Sequence, residues 1–310
     1  MLTRLILLGS AVAFAGCLFA QATHEPAKPA PSYATPAKTT IPGSPDWSEP
    51  FPPHRMIGNI YYVGSRGLAS YLITTRTGHI LINSNLKTSV PQIRESIEKL
   101  GFHFKDVKIL LISHAHFDHD AGSAEIKRLT GAQYMVMDGD VSVVETGGES
   151  DFQYGDDTTL RYPATKVDQV LHDGDQVILG GAVLTAHKTA GHTRGCTTWS
   201  LRVNEAGHSY DVVIVGSPNV NPGYKLVNNV RYPEIADDYA RGFGVLKSLP
   251  CDVFLGAHGS YFEMESKYSR LSAGNANPYV DSEGYKKYVM DREQAFLSEL
   301  QKQTAAAKKQ

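Results

Sequence analysis

Residues 114–119 read His114-Ala115-His116-Phe117-Asp118-His119, three imidazoles and one carboxylate within six positions. Imidazole nitrogen and carboxylate oxygen are ligands that zinc takes from proteins, and a catalytic zinc keeps one position open for water. In an extended loop His114, His116 and Asp118 point one way, with His119 following at a turn. That set holds more coordinating capacity than one ion needs. Two further candidates lie downstream. Thr189-Ala190-Gly191-His192-Thr193 puts a histidine in a glycine turn after a strand-like run, and Leu255-Gly256-Ala257-His258-Gly259 puts another at the end of an apolar run. Small neighbours let backbone and ion approach closely. Either histidine alone would pass for an ordinary structural residue; beside the cluster both become candidate ligands. His24, His54, His79, His103, His172, His187 and His208 lack such a setting. Of these His187 lies nearest to His192, but it sits on a strand and reads as a packing or supporting residue.

The cluster needs a scaffold. The apolar run 107–112 precedes it and a helix-like run, 121–129, follows, stopped by Gly131. A strand-to-helix loop is where an α/β fold commonly keeps its ligands. Strand-like runs at 59–63, 70–74 and 79–83 come earlier, followed by a helical pattern in which Val90, Ile93, Ile97 and Leu100 recur and Gly101 stops the helix. Residues 133–137 read as a strand and 147–166 as a long polar loop. Strands resume at 169–171, 176–179, 183–187, 197–203 and 211–215, with a helix at 235–249, a strand at 252–257 and a last helix at 285–302. Two strand-rich stretches, each closed by helices, predict an α/β four-layer αβ/βα sandwich with two mixed β-sheets flanked by helices.

The chain has 310 residues, 42% of them hydrophobic and 20% charged, with a net charge of −2. That is ordinary globular composition, and it gives no support for a nucleic-acid partner. Arg4 followed by the apolar stretch 5–15 reads as a secretory signal peptide over 1–22, too short for a stable membrane span. A Pro/Ala-rich disordered leader is expected over 23–45, a single domain over 46–305 and a frayed tail over 306–310. The product is expected in the periplasm or secreted; Phe14-Ala15-Gly16-Cys17 also resembles a lipoprotein signal that would anchor the chain through Cys17. Cys196 and Cys251 read as two buried free thiols rather than a disulfide.

The order His114-Ala115-His116-Phe117-Asp118-His119, then Gly191-His192, then His258 resembles the metallo-β-lactamase superfamily. From Trp47 to about Tyr268 the chain is similar to the third subclass of the class B enzymes, with further likeness at Pro52-Pro53, residues 68–73 and 79–83, Pro222-Gly223-Tyr224 and residues 256–259. The resemblance implies two Zn2+ per chain, one held by His114, His116 and His192 and the other by Asp118, His119 and His258, with a hydroxide between them. Two ions at ~3.5–4 Å explain the surplus of ligands. It also implies a β-lactam substrate and Asp118 as the catalytic residue besides its ligand role; the chain is expected to be a monomer.

Thioesterase, lactonase and phosphodiesterase relatives carry an additional aspartate that bridges both metals, at the end of the strand between the third and last ligand histidines. Here that strand runs over 212–215 and ends in Gly216-Ser217, with no acid following closely. Ser217 therefore favours a β-lactamase over the alternative, a dizinc hydrolase of another ester, lactone or thioester. A metal-binding protein without catalysis is a third class, disfavoured by the open coordination position. Ser217, Asn219 and Asn221 are candidate contacts for a substrate carboxylate, with Lys225 or Arg231 attracting it, although such residues also build turns. Phe152 and Tyr154 either wall the site or fold inward, and Asp120 is expected to cap the following helix. Ser84-Asn85-Leu86-Lys87 matches a serine β-lactamase motif without its companion motifs, and Gly242-Phe243-Gly244 is an incomplete nucleotide fingerprint.

Overall fold

Alternation along the early strands sends side chains into two different cores. Leu72 and Leu81 join one buried cluster, whereas Tyr71, Ile73, Ile80 and Ile82 join another. Strands buried on both faces read as unbroken apolar runs, the pattern seen in the sequence. The computed structural model describes residues 44–271 and 276–309. These lie within one compact unit, Thr40–Gln310; the other, Met1–Thr39, falls outside the described residues, as do the signal peptide, Cys17 and most of the leader.

The first sheet begins with β1 (His54–Ile57), β2 (Ile60–Tyr62), β3 (Tyr71–Thr75) and β4 (Gly78–Ile82). Helix α1 (Val90–Lys99) leads to β5 (Val107–Leu111). After α2 (Phe117–Asp120) and α3 (Ser123–Thr130) come β6 (Gln133–Met137), α4 (Val141–Glu145) and β7 (Gln169–Leu171). Strand order follows chain order, antiparallel from β1 to β4 and parallel from β4 to β7. The second sheet holds β8 (Gln176–Leu179), β9 (Ala182–Lys188), β10 (Thr197–Glu205) and β11 (His208–Val215), then β12 (Val253–Gly256) beyond α5 (Ile235–Ser248). Its order is β12-β11-β10-β9-β8, parallel only between β11 and β12. Helices α6 (Met264–Leu271) and α7 (Ser282–Ala307) complete the chain.

Val90, Ile93 and Ile97 of α1 and Ile126 of α3 pack with Leu72, Leu81, Leu110 and Tyr134 of the first sheet. The larger core joins Ile82, Ile109 and Leu111 to Leu184, Trp199 and Leu201 of the second sheet, and to Tyr239, Phe243 and Phe296 of α5 and α7. Two mixed sheets flanked by helices, as expected, form the α/β sandwich. Trp199 Nε1 donates to the carbonyl of Ile112 at 3.1 Å, fastening β10 to the chain just before the histidine cluster.

Some elements escaped the sequence reading. Strand β1, α4 and α6 were not anticipated, and α7 runs from Ser282 through Ala307, past 285 and 302 and into the expected tail. Strand β11 starts at His208 rather than 211 because Glu205 pairs with His208 around Ala206 and Gly207, whose φ values are 51° and 83°. Two left-handed residues make the tight hairpin that matches sheet twist. No helix among the described residues is long and apolar enough to cross a membrane.

Candidate metal centre

The ends of β5, β9, β11 and β12 meet at one place. Beyond β5, Ser113 donates its N–H to Asn83 Oδ1 at 2.7 Å, and its carbonyl accepts the N–H of Thr197 at 2.7 Å. The chain is thus held between the two sheets where His114 begins. The cluster is extended only as far as His116: the N–H groups of His119 and Asp120 both reach the His116 carbonyl at 3.0 Å, forming the single turn α2. Asp118 and His119 therefore diverge by about 100° as helical neighbours, in place of the extended run with a closing turn. His192 sits in the turn between β9 and β10, and His258 follows β12 at the start of a 3-10 turn.

All six candidate ligands come together. One ligand nitrogen each from His114, His116 and His192 lies within 4.8 Å of the others. Asp118 Oδ2, His119 Nε2 and His258 Nε2 form a triangle with sides of 3.2, 3.6 and 3.1 Å. Ligand atoms at ~2.0–2.1 Å around a tetrahedral zinc stand roughly 3.3 Å apart. The triangle therefore has the size zinc requires.

Electrostatics favour the same occupant. Burial drives His116 down to about 4 and both His192 and His258 down to about 3, and it holds His114 well below its usual range, with neighbouring histidines adding to the effect. These rings are neutral at pH 7 and offer lone pairs. Burial pushes Asp118 upward, but His119, His258 and His116 outweigh it, and the carboxyl stays ionised well below its usual range. His192 Nδ1 donates to the carbonyl of Asn219 at 2.8 Å, which assigns the other ring nitrogen as the acceptor facing the site. His116 Nε2 is buried with no hydrogen-bond partner. An orphaned imidazole nitrogen among neutral rings and an ionised carboxylate fits a divalent zinc.

A cavity of about 410 Å3 opens over this cluster, reaching His116, Asp118, His192 and His258. Trp47, Phe117, Tyr154, Asn219, Asn221 and Tyr261 form part of its wall. Of the two loop aromatics, Tyr154 faces the site with its ring 5.2 Å from that of His116. Phe152 turns inward and packs on Tyr224 and Tyr232. Asp151 divides them: its Oδ1 accepts the N–H groups of Gln153 and Tyr154 at 2.8 and 2.6 Å, and Oδ2 lies 3.8 Å from His116 Nε2.

Asn219 and Asn221 line the cavity, whereas Ser217 is buried behind it, its hydroxyl 3.2 Å from that of Tyr261. Lys225 and Arg231 lie outside the wall, and Arg231 pairs with Asp156 at 2.7 Å. Asp120 does not cap a helix. Helix α3 starts from Gly122 without a side-chain cap, and Asp120 is fully buried, accepting the Tyr134 hydroxyl at 2.5 Å; burial raises its carboxyl to about 7. Cys196 and Cys251 are both free, with Cys196 buried and Cys251 only half-buried at the entry to β12. His187 bonds Ser200 across β9 and β10 at 2.7 Å. Ser84 hydrogen-bonds Ser123 at 2.9 Å in the core, and Gly242 and Gly244 lie within α5. Trp47, Asp151 and Tyr261 were missed as site residues because no spacing rule singles them out.

Comparison with known proteins agrees with this arrangement. A family model described as the metallo-beta-lactamase superfamily matches residues 64–258. A probable metallo-hydrolase from Burkholderia pseudomallei is 28% identical over 120 residues, so the match spans only 39% of this chain and 39% of that curated relative. Solved structures match over nearly their whole length. The native FEZ-1 metallo-beta-lactamase from Legionella gormanii is 57% identical, with a TM-score of 0.82, covering 83% of this chain and 98% of that one. BJP-1, a subclass B3 metallo-beta-lactamase of Bradyrhizobium japonicum, is 38% identical with a TM-score of 0.80, over 85% and 98%. The class B3 di-zinc metallo-beta-lactamase LRA-12 from an Alaskan soil metagenome is 36% identical with a TM-score of 0.79, over 82% and 96%. With its strand ends, its histidines and its relatives in agreement, the chain belongs to the metallo-β-lactamase superfamily, alongside the subclass B3 structures.

Proposed function

We propose that the chain is a zinc-dependent β-lactamase that opens the cyclic amide of penicillins, cephalosporins and carbapenems and so confers antibiotic resistance. Two zinc ions per chain are the cofactors. His114, His116 and His192 would hold one, and Asp118, His119 and His258 would hold the other. Bound zinc polarises a carbonyl and lowers the pKa of water towards neutrality.

The residues of the chain do the rest. His192 keeps its Nδ1 proton on the Asn219 carbonyl, and the Tyr239 hydroxyl donates to the same oxygen at 2.7 Å, so ligand and cavity wall are fixed together. Asn219 and Asn221 each spend one amide donor on a tyrosine hydroxyl, Tyr261 at 2.7 Å and Tyr154 at 3.0 Å. A second N–H on Asn221 remains for the substrate carboxylate, while the Asn219 side chain also engages the Tyr288 hydroxyl. Ser217 supports that wall through Tyr261. Asp118 would help hold the second zinc through Oδ2, and its other carboxylate oxygen would orient the attacking water, take its proton and pass it to the amide nitrogen released when the C–N bond breaks. Trp47, Phe117 and Tyr154 exclude bulk solvent, which strengthens these interactions.

The observation that carries the reading is the end of β11. Val215 pairs with Gly256 in parallel register, so Ser217 and His258 leave neighbouring strand ends at the metal centre. The bridging carboxylate of ester- and lactone-cleaving relatives would stand at Ser217, and this chain has a neutral hydroxyl. A signal peptide over 1–22 suits a periplasmic or secreted enzyme, where β-lactams act. The test is a hydrolysis panel of penicillin, cephalosporin, carbapenem, homoserine lactone and thioester, run with metal analysis. Cleavage of the β-lactams is expected. Turnover confined to the lactone or thioester would contradict the reading.

A further inference from the structure

We propose that Asp140 is a positioning residue that sets the distance between the two loops supplying His114, His116 and His192. Asp140 follows β6 of the first sheet in a 3-10 turn, Asp138–Asp140, and is completely buried. Its Oδ2 accepts the N–H of Ala115 at 2.9 Å and the hydroxyl of Thr193 at 2.7 Å. Its Oδ1 accepts the N–H of Gly195 at 2.7 Å. Ala115 is the residue between His114 and His116, and Thr193 is the residue after His192. One carboxylate therefore grips both ligand loops, each on backbone or side chain immediately beside a ligand.

Other contacts show that the grip is specific. The carbonyl of Ala115 accepts the Tyr162 hydroxyl at 2.8 Å, so the residue between the two histidines is held at both its N–H and its C=O. The segments also approach more closely than side chains would allow. A Cβ on Gly195 would lie 2.5 Å from the Asp140 nitrogen, and one on Gly139 would lie 2.3 Å from the Arg194 carbonyl. Among the described residues no ion pair neutralises Asp140, and the three donors that point at it offset part of the cost of its burial. Charge-assisted bonds of this kind are about twice as strong as neutral ones. Asparagine would retain the volume but replace one acceptor with an N–H facing another N–H or the Thr193 hydroxyl.

The inference rests on the reading of His114, His116 and His192 as a metal site. The test uses the full chain stripped of metal and titrated with zinc against a chromophoric chelator, and separately with cobalt(II) read by its visible spectrum. Asp140→Asn is expected to weaken the tighter of the two zinc affinities by roughly 10–100-fold and to change the cobalt d–d bands while circular dichroism stays that of the parent. Thr193→Val removes a single donor and is expected to shift both readouts less, in the same direction; it serves if Asp140→Asn does not fold. Parent-like affinity and cobalt spectra in whichever variant folds would overturn the proposal, even if thermal stability falls. A parent chain that takes up neither metal would instead overturn the metal-site reading itself.

Discussion

His119 and His258, 139 positions apart in the chain, bring their Nε2 atoms to 3.1 Å, with Asp118 Oδ2 at 3.2 Å from the first and 3.6 Å from the second. Such convergence from two sheets gives His258 a role that no residue nearby in sequence supplies. Replacing His258 by Ala is expected to reduce bound zinc from about two equivalents per chain towards about one, with the fold retained. Metal analysis of the dialysed protein measures this, and unchanged stoichiometry would remove His258 from the ligand set.

Tyr154 stands over His116 and takes an Asn221 amide proton at 3.0 Å. On the proposed function its ring lines the wall against which substrate packs, so Tyr154→Ala is expected to remove binding common to ground and transition states. A loss of roughly 1–2 kcal/mol of apolar contact corresponds to a rise in KM of about 5–30-fold. Steady-state kinetics should show KM rising with kcat little changed. A fall confined to kcat would place Tyr154 in the chemical step instead.

The strands and the metal cluster were legible in the sequence for a physical reason: both depend on local pattern. β5 shows as an apolar run because Leu110 faces α1 and α3 while Ile109 and Leu111 face the second sheet. The six candidate ligands show because four of them crowd into positions 114–119, and His192 and His258 sit at strand ends beside small residues. What stayed hidden depends on who lies opposite. Asp120 follows the cluster as a capping residue would, yet Tyr134, 14 positions away, captures it inside the core. Phe152 and Tyr154 are two residues apart, and only the Asp151 turn sends one inward and the other over the site. Asp140 has no motif at all; its meaning lies in Ala115, Thr193 and Gly195, which reach it from other loops.

Away from the metal, His54 makes stability pH-dependent. It is stacked with Tyr62 and Tyr279, Nε2 lies 2.7 Å from the Tyr279 hydroxyl, and burial lowers its pKa from 6.5 to about 4. The unfolded chain binds this proton near 6.5 and the folded chain near 4, so the contribution is fully present above 6.5 and is lost as pH falls through 4. The shift corresponds to about 3 kcal/mol. Urea titrations of the parent and of His54→Gln between pH 7 and 4 should differ in slope, with the variant falling less steeply. Parallel profiles would rule out His54 as the source.

On the proposed function, the histidine cluster cleaves β-lactams only with zinc bound. Dialysis against a chelator, followed by assay with a chromogenic cephalosporin and then by zinc addition, tests it most directly. Hydrolysis should be abolished by dialysis and restored by zinc. Turnover that persists in verified metal-free protein, or that zinc fails to restore to a folded chain, would contradict it.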